Sequence, residues 1–392
     1  MDDFEVYIAQ DGQTYRYLIN NAAFESYIKV VKVDAETGVA IPYAGAGFQI
    51  YRPDGSKVEM TFTYPTPTTI DTFYTNAEGY LVTPEKLEYG SGYSLVEVQA
   101  PYGYVLDSTP VYFDVTEDNS TEEGGVTVIE VTKPNMAQKG VIKVSKTGEV
   151  FTSVQENAGV YQPVYEVTGL PGAVFEITAL EDVYTLDGTL RYSAGEVVDT
   201  ITTGEDGTAQ SQPLYLGRFQ VKEIEFPHGM ADTGENITEV ELVYAGQTVE
   251  VQTGSATFLN ERQKAAVRVE KQDEETKNPL SGGIYGLYAA EDIKVDGKTV
   301  VPKGTLIEKA TTGADGKASY KAELPINYSY SIREIQAPEL YLRNSEDTYT
   351  FTFKFTNDKE EKVNFSHTFT NKRVNATIDL VKEDSETGNS AQ

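Results

Sequence analysis

Nine residues of this 392-residue chain could do chemistry together, and they fall into three sets of the same composition and spacing: Lys32, Glu97 and Asn135; Lys146, Glu223 and Asn260; Lys271, Glu334 and Asn371. The glutamate-to-asparagine distance is 135−97=38, 260−223=37 and 371−334=37. Each asparagine stands eleven residues before a lysine, in the pairs Asn21 and Lys32, Asn135 and Lys146, Asn260 and Lys271, and Asn371 and Lys382. An amine, a carboxyl and a carboxamide are the ingredients of amide exchange. A neutral lysine can attack an asparagine side chain and expel ammonia, with a carboxylic acid polarising the carbonyl and moving protons.

That chemistry needs burial, and the strand pattern supplies it. Residues two apart on a strand share a face. This parity groups Lys32 with Val30 and Ile28, Lys146 with Val144 and Ile142, Lys271 with Val269 and Val267, and Lys382 with Leu380 and Ile378. Glu223 is in phase with Val221 and Phe219, Glu334 with Ile332 and Tyr330, and Glu97 with Leu95 and Tyr93. Asn260 follows Phe258 in phase, and Asn371 follows Phe369. A single inward lysine is ordinarily a strand-edge or snorkelling residue. Three matched triplets instead read as polar groups aimed at apolar cores, where desolvation moves a lysine toward the neutral amine and a glutamate toward the neutral acid. The expected product is one intramolecular isopeptide bond per repeat, formed once and without turnover.

Composition narrows the remaining classes. With 32 basic and 61 acidic residues the net charge is −29, which excludes nucleic acid and anionic membrane surfaces as partners. No apolar run reaches membrane-spanning length, and the start MDDFEV lacks the order of a signal peptide. Zero cysteines exclude disulfides and thiolate chemistry, and His228 and His367 fall in different repeats. No metal or cofactor is expected, and no enzyme with turnover. Abundant Thr, Val, Tyr and Gly with period-two stretches such as RFQVKEI and SYSIREI predict antiparallel sheet with few helices.

The repeats resemble the Cna B-type domains (collagen-adhesin B-type, also called pilin-backbone or prealbumin-like) of Gram-positive surface adhesins and pilins. The lysine in K-x-D is matched by KVD at 32, KQD at 271 and KED at 382; the glutamate motif E-x-x-A-P-x-G-Y by EVQAPYGY, EIEFPHGM and EIQAPELY. A T-x-x-x-G hairpin recurs at Thr75 to Gly79, Thr203 to Gly207 and Thr312 to Gly316. The resemblance implies all-β, tandem immunoglobulin-like or prealbumin-like β-sandwich domains arranged as a rod. It also implies that Glu97, Glu223 and Glu334 promote bonds from Lys32 to Asn135, Lys146 to Asn260 and Lys271 to Asn371. The sequence departs from the pattern at Thr147 and Gly148 after Lys146, at Phe226, and at Leu340 in place of glycine. Lys133 and Pro134 before Asn135 are expected to interrupt the last strand of the first repeat.

The domains expected are 26–137, 138–263 and 264–374. Residues 1–25 read as the last strand of a preceding domain or an N-terminal extension, and 375–392 as the first strand of a following one, so the chain reads as a segment of a longer protein. Neighbouring domains of the same chain are the expected partners, and the expected location is extracellular, on the cell wall. The function expected is a structural stalk of an adhesin or pilus; the alternative is a ligand-binding region recognising a host protein or glycan. For that alternative the candidates are an insertion at 150–168 and the stretch MTFTYPTPTTIDTFY, each of which could also pack over a sheet edge or a neighbouring domain. Neither an L-P-x-T-G sorting signal nor a Y-P-K-N motif occurs.

Overall fold

The computed structural model describes residues 23–388 except 64, 159 and 384, together with Tyr7, Asp11, Gly12 and Thr14. The described residues form strands, turns and loops, with no helix. They divide into two compact units, one of residues 1–139 with 183–191 and 243–252, the other of 140–182, 192–242 and 253–392. The second and third sequence repeats therefore share a unit, while two short segments of the second belong with the first.

In the first repeat, β1 (Glu25–Asp34), β2 (Gly47–Tyr51), β3 (Gly90–Gln99) and β4 (Val126–Asn135) build the two sheets that carry the site. β1 lies between β4 and the short strand Tyr80–Val82, and β2 between β3 and Phe73–Tyr74. The second repeat contributes β5 (Lys139–Asn157), β6 (Val160–Gly169), β7 (Val174–Ala179), β8 (Gly217–Glu225) and β9 (Val251–Arg262). The third contributes β10 (Lys264–Asp273), β11 (Ile284–Ala289), β12 (Tyr328–Gln336) and β13 (Lys362–Asn371). Each repeat encloses its own apolar cluster between facing sheets, centred on Phe48, Phe175 and Tyr285 respectively.

Composition predicts antiparallel sheet, and most pairings are antiparallel, but the strands that matter most are not. β1 runs parallel to β4, with Lys32 opposite Lys133 and Asp34 opposite Asn135, and β10 runs parallel to β13, with Lys271 opposite Phe369 and Asp273 opposite Asn371. Parallel neighbours cannot be joined by a tight hairpin, so almost the whole repeat intervenes between them. A residue alternation has the same period in both kinds of pairing and does not distinguish them.

Pro134 does not interrupt β4, which continues to Asn135. The strand beyond β4 pairs only with Val126, Thr127 and Val128, so β4 has β1 as its sole sheet neighbour by the time it reaches Pro134. A missing N–H costs no ladder bond on the open side.

The T-x-x-x-G hairpins anchor the lysine strands. In each repeat the glycine carbonyl accepts the backbone N–H of the site lysine: Lys32 to Gly79 at 3.0 Å, Lys146 to Gly207 at 2.8 Å and Lys271 to Gly316 at 2.7 Å. The threonine hydroxyl ties the turn to the start of the second strand, accepting from Ala46, Ala173 or Gly283 and donating to Tyr43, Leu170 or Leu280. Gly79 has φ +84°, and a Cβ there would stand 1.9 Å from the Ile41 carbonyl oxygen. After the glutamate strand, Leu340 adopts φ 67°, the conformation that Gly103 (φ 79°) and Gly229 (φ 88°) hold in the other repeats. The departure from the motif is thus in residue type and not in backbone path.

The insertion at 150–168 is a long β5–β6 hairpin, with Phe151, Val154 and Tyr161 packed against the core of the third repeat. The Thr-rich stretch of the first repeat forms a short hairpin pairing Met60 with Ile70, both set against that repeat's own core. Residues 374–382 carry no strand, and Ile378, Leu380 and Lys382 are exposed; Asn21 lies outside the described residues.

Two substitutions follow with opposite signs. Gly79→Ala forces both a left-handed backbone and a backbone clash, and should lower unfolding stability by on the order of 2–3 kcal/mol in urea titration. Leu340→Gly relieves a left-handed non-glycine residue and should raise stability by about 1 kcal/mol.

Candidate functional site

All nine predicted residues are buried, none more than 3% exposed. In each repeat the lysine comes from the first strand, the glutamate from the central strand of the opposite sheet and the asparagine from the last strand. The glutamate lies opposite an aromatic residue of the second strand: Phe48 with Glu97, Phe175 with Glu223 and Tyr285 with Glu334. That ring forms the apolar wall of the site.

In the first repeat Lys32 Nζ donates to the Lys133 carbonyl at 2.7 Å, meets Asn135 Oδ1, and lies 3.4 Å from Glu97 Oε1. Asn135 Nδ2 donates to Glu97 Oε2 at 2.7 Å and to the Val105 carbonyl at 2.5 Å. Since a carbonyl can only accept, the Val105 contact fixes this atom as the amide nitrogen. The glutamate therefore faces the leaving group of an amide exchange, whereas the sequence reading has it polarise the carbonyl. In the second repeat Glu223 bridges the pair, with Oε2 2.7 Å from Lys146 Nζ and Oε1 3.2 Å from Asn260 Nδ2. In the third, Lys271 Nζ is 3.3 Å from Glu334 Oε1, and Asn371 Nδ2 donates to both carboxylate oxygens at 3.0 and 3.1 Å. Tyr285 adds a hydroxyl donor at 3.2 Å and the Asn344 N–H another at 2.9 Å. Among the described residues, Lys271 Nζ and Asn371 Oδ1 have no aligned hydrogen bond of their own. Those are atoms of the two groups that an amide exchange would join.

Burial sets the protonation chemistry. Desolvation pushes Lys32 down to about 8, against the opposing pull of Glu97, and it pushes Lys146 and Lys271 down as well. The same desolvation raises Glu97 and Glu223 above the usual carboxyl range, against the opposing pull of their lysines. Each shift moves a pair toward neutral amine and neutral acid.

Two further elements escape a reading of the triplets alone. The aspartate of K-x-D is a buried cap: Asp34 Oδ1 accepts from Glu36 and Thr37 N–H, and its Oδ2 from the Tyr104 hydroxyl at 3.0 Å. Asp273 repeats this with Glu275, Thr276 and the Tyr341 hydroxyl at 2.7 Å. Arg191 adds an ion pair to Asp34 at 2.9 Å. In the second repeat both partners are replaced, by Gly148 and Met230, and a Cβ at 148 would lie 2.6 Å from Leu170 Cδ1 and 2.8 Å from the Asn260 carbonyl oxygen. The joint presence of the aspartate and of the last tyrosine of the glutamate motif in the first and third repeats, and their joint loss in the second, is the signal that reveals the pair. The other element is Lys133, which is buried and bonded to Asp107 Oδ2 and the Thr109 carbonyl, both at 2.8 Å.

No curated protein matches the chain. Among solved structures, the Bacillus anthracis TIE protein is similar over 89% of this chain, with 21% identity and a TM-score of 0.53; the chain spans 51% of that protein's length. The major pilin subunit BcpA of Bacillus cereus aligns at 17% identity over 89% of this chain and 100% of its own, with a TM-score of 0.33. A streptococcal ancillary pilin aligns at 18% identity over 89% and 99%, with a TM-score of 0.25. The SpaA family of prealbumin-like fold domains matches three times, over residues 26–132, 164–257 and 265–368, once in each repeat. The chain belongs to that family, as three tandem prealbumin-like β-sandwich domains.

Proposed function

We propose that the chain is a stalk segment of a Gram-positive cell-surface adhesin or pilus, each domain closed by an autocatalytic lysine–asparagine isopeptide bond. The observation that carries this is the glutamate carboxyl set in contact with both the lysine amine and the asparagine amide nitrogen, buried, in three separate cores. In the proposed step the neutral amine attacks Asn Cγ, a C–N bond forms and the Cγ–Nδ2 bond breaks. One amine proton stays on the new amide, and the glutamate relays the other to the departing nitrogen, which leaves as ammonia. Placement of the reacting groups in a water-free core supplies the rate.

Such a bond closes a loop of 103 residues between Lys32 and Asn135. If it constrains the unfolded chain as a disulfide would, the gain is on the order of 4–5 kcal/mol. It would not depend on redox conditions, which suits a cysteine-free protein exposed outside the cell. The β5–β6 hairpin, the first candidate for an adhesive loop, packs Phe151, Val154 and Tyr161 against the core of the third domain. The stalk is therefore the better supported reading.

Intact mass of the denatured chain tests the bonds directly. The expected deficit is three ammonia molecules, with one restored in each of Glu97→Ala, Glu223→Ala and Glu334→Ala after correction for the substitution. A full, undiminished mass would leave the triplets as buried polar networks and end the proposal.

A second test uses pH. In Asn135→Ala the Lys32 amine stays free, and its folded value of about 8 lies below the ordinary 10.5. Between these values the unfolded chain binds more protons, so stability contributed by Lys32 should rise with pH. The difference between Asn135→Ala and Lys32→Met/Asn135→Ala, measured by urea unfolding from pH 8 to 10, isolates that rise; a flat difference would contradict the depressed amine.

A further inference from the structure

The first site differs from the other two at one inward position. Two residues before the asparagine, the second and third repeats carry Phe258 and Phe369, whose rings pack 4.7 Å from Phe175 and 4.6 Å from Tyr285. There the site lysine lies over an aromatic face, Lys146 over Phe258 at 5.9 Å and Lys271 over Tyr285 at 5.7 Å. The first repeat has Lys133 instead, directly opposite Lys32 in the parallel pair and 1% exposed. A second ammonium in the same core is costly unless it serves a purpose or is neutralised.

Asp107 supplies the neutralising charge. Burial works against its ionisation, but hydrogen bonds from Lys133 and from the side chain and N–H of Thr109 outweigh that and hold it down to about 2. The Asp107 N–H also donates to Glu97 Oε2 at 3.1 Å, tying the pair to the carboxyl of the site. The Lys133 carbonyl in turn receives the Lys32 amine. The charged groups facing Lys32 are thus Glu97 from β3, Lys133 from β4 and Asp107 from the loop between those strands.

We propose that the buried Lys133, held by Asp107, is a charge-setting and positioning element of the first site, placing a positive charge beside Lys32 that favours its neutral, nucleophilic form. From the position that Lys133 holds in the first repeat, Phe258 attracts the Lys146 ammonium, whereas Lys133 repels that of Lys32, so the first site reaches the reactive amine by a different electrostatic route from the second. The repulsion from Lys133 acts on Lys32 more strongly than the attraction of Asp107, and both are smaller than the effects of burial and of Glu97. This inference rests on the cross-linking reading, and the experiment separates the two.

The full chain is recovered unfolded from inclusion bodies, its unlinked state checked by intact mass in urea, and refolded at a series of pH values; the peptide joining Lys32 to Asn135 is then quantified by mass spectrometry beside those of the other two repeats. In Lys133→Met/Asp107→Asn, which leaves neither charge unpaired, the pH midpoint for the first bond should move up. Its formation at pH 7 should slow by about threefold, since less of the amine is neutral there. Asp107→Asn alone, on a half-exposed loop residue, should move the midpoint down, because it removes the attraction of Asp107 for the Lys32 ammonium. Lys133→Arg should stay near the native profile, and bonds in the second and third repeats should not change. Unshifted profiles, shifts of the same sign in both Asp107→Asn and the double variant, or an arginine variant as slow as the neutral one would overturn the charge-setting role. Should the double variant not fold, the sign of the Asp107→Asn shift decides alone. Failure of the native chain to form the Lys32 bond at any pH would instead sink the cross-linking reading itself.

Discussion

An ammonium sealed in an apolar core is the constraint on which each repeat is organised. Lys32, Lys146 and Lys271 cannot reach solvent, so a carboxyl must come to them, and that carboxyl must arrive from the facing sheet because the lysine's own sheet offers only strand neighbours. The glutamate strand therefore sits at the centre of its sheet, where both flanking strands hold it. The lysine strand is held at its backbone by the glycine of the T-x-x-x-G turn. Burial shifts amine and acid toward their neutral forms, which lowers the cost of the pair, and the asparagine amide lies against the same carboxyl.

The parity of the strands made the three triplets legible. Inward placement of a residue follows from its phase with Val, Ile and Phe two positions away, and a repeat seen three times removes accidents of phase. The direction of pairing was not legible in the same way, since the alternation in β1 and β4 is the same whether they run parallel or antiparallel. Pro134 was misread because a proline breaks a strand only where both sides are paired, and the extent of the neighbouring strand is a tertiary fact. Leu340 shows the converse. The backbone kept the glycine conformation after the glycine was lost, so the motif's geometry outlasted one of its letters.

Asp34 with Tyr104, and Asp273 with Tyr341, illustrate why a motif can be visible before its physics is. Both letters stood in the sequence, some 70 residues apart, but only the fold brings them together. Their function is local: the aspartate satisfies two backbone N–H groups of the turn leaving the lysine strand, and the tyrosine takes its remaining oxygen. The second repeat solves the same corner by removing the side chain altogether at Gly148 and closing over it with Leu170 and Met230.

The parallel register also decides how a bond from Lys32 to Asn135 would carry load. Lys32 lies two residues from the end of β1, and Asn135 ends β4. Tension entering at the start of β1 would run along that strand to Lys32, cross the amide, and leave the domain immediately after Asn135. The loops, the glutamate strand and nearly all of β4 would lie outside that path. In an antiparallel pair, residues near the ends of both strands, as Lys32 and Asn135 are, would lie at opposite ends of the sheet and could not meet. Placing the link where the first and last strands run side by side in the same direction keeps β1 in that path and most of β4 outside it, and it leaves the remaining strands to keep water away from the amine, the acid and the amide.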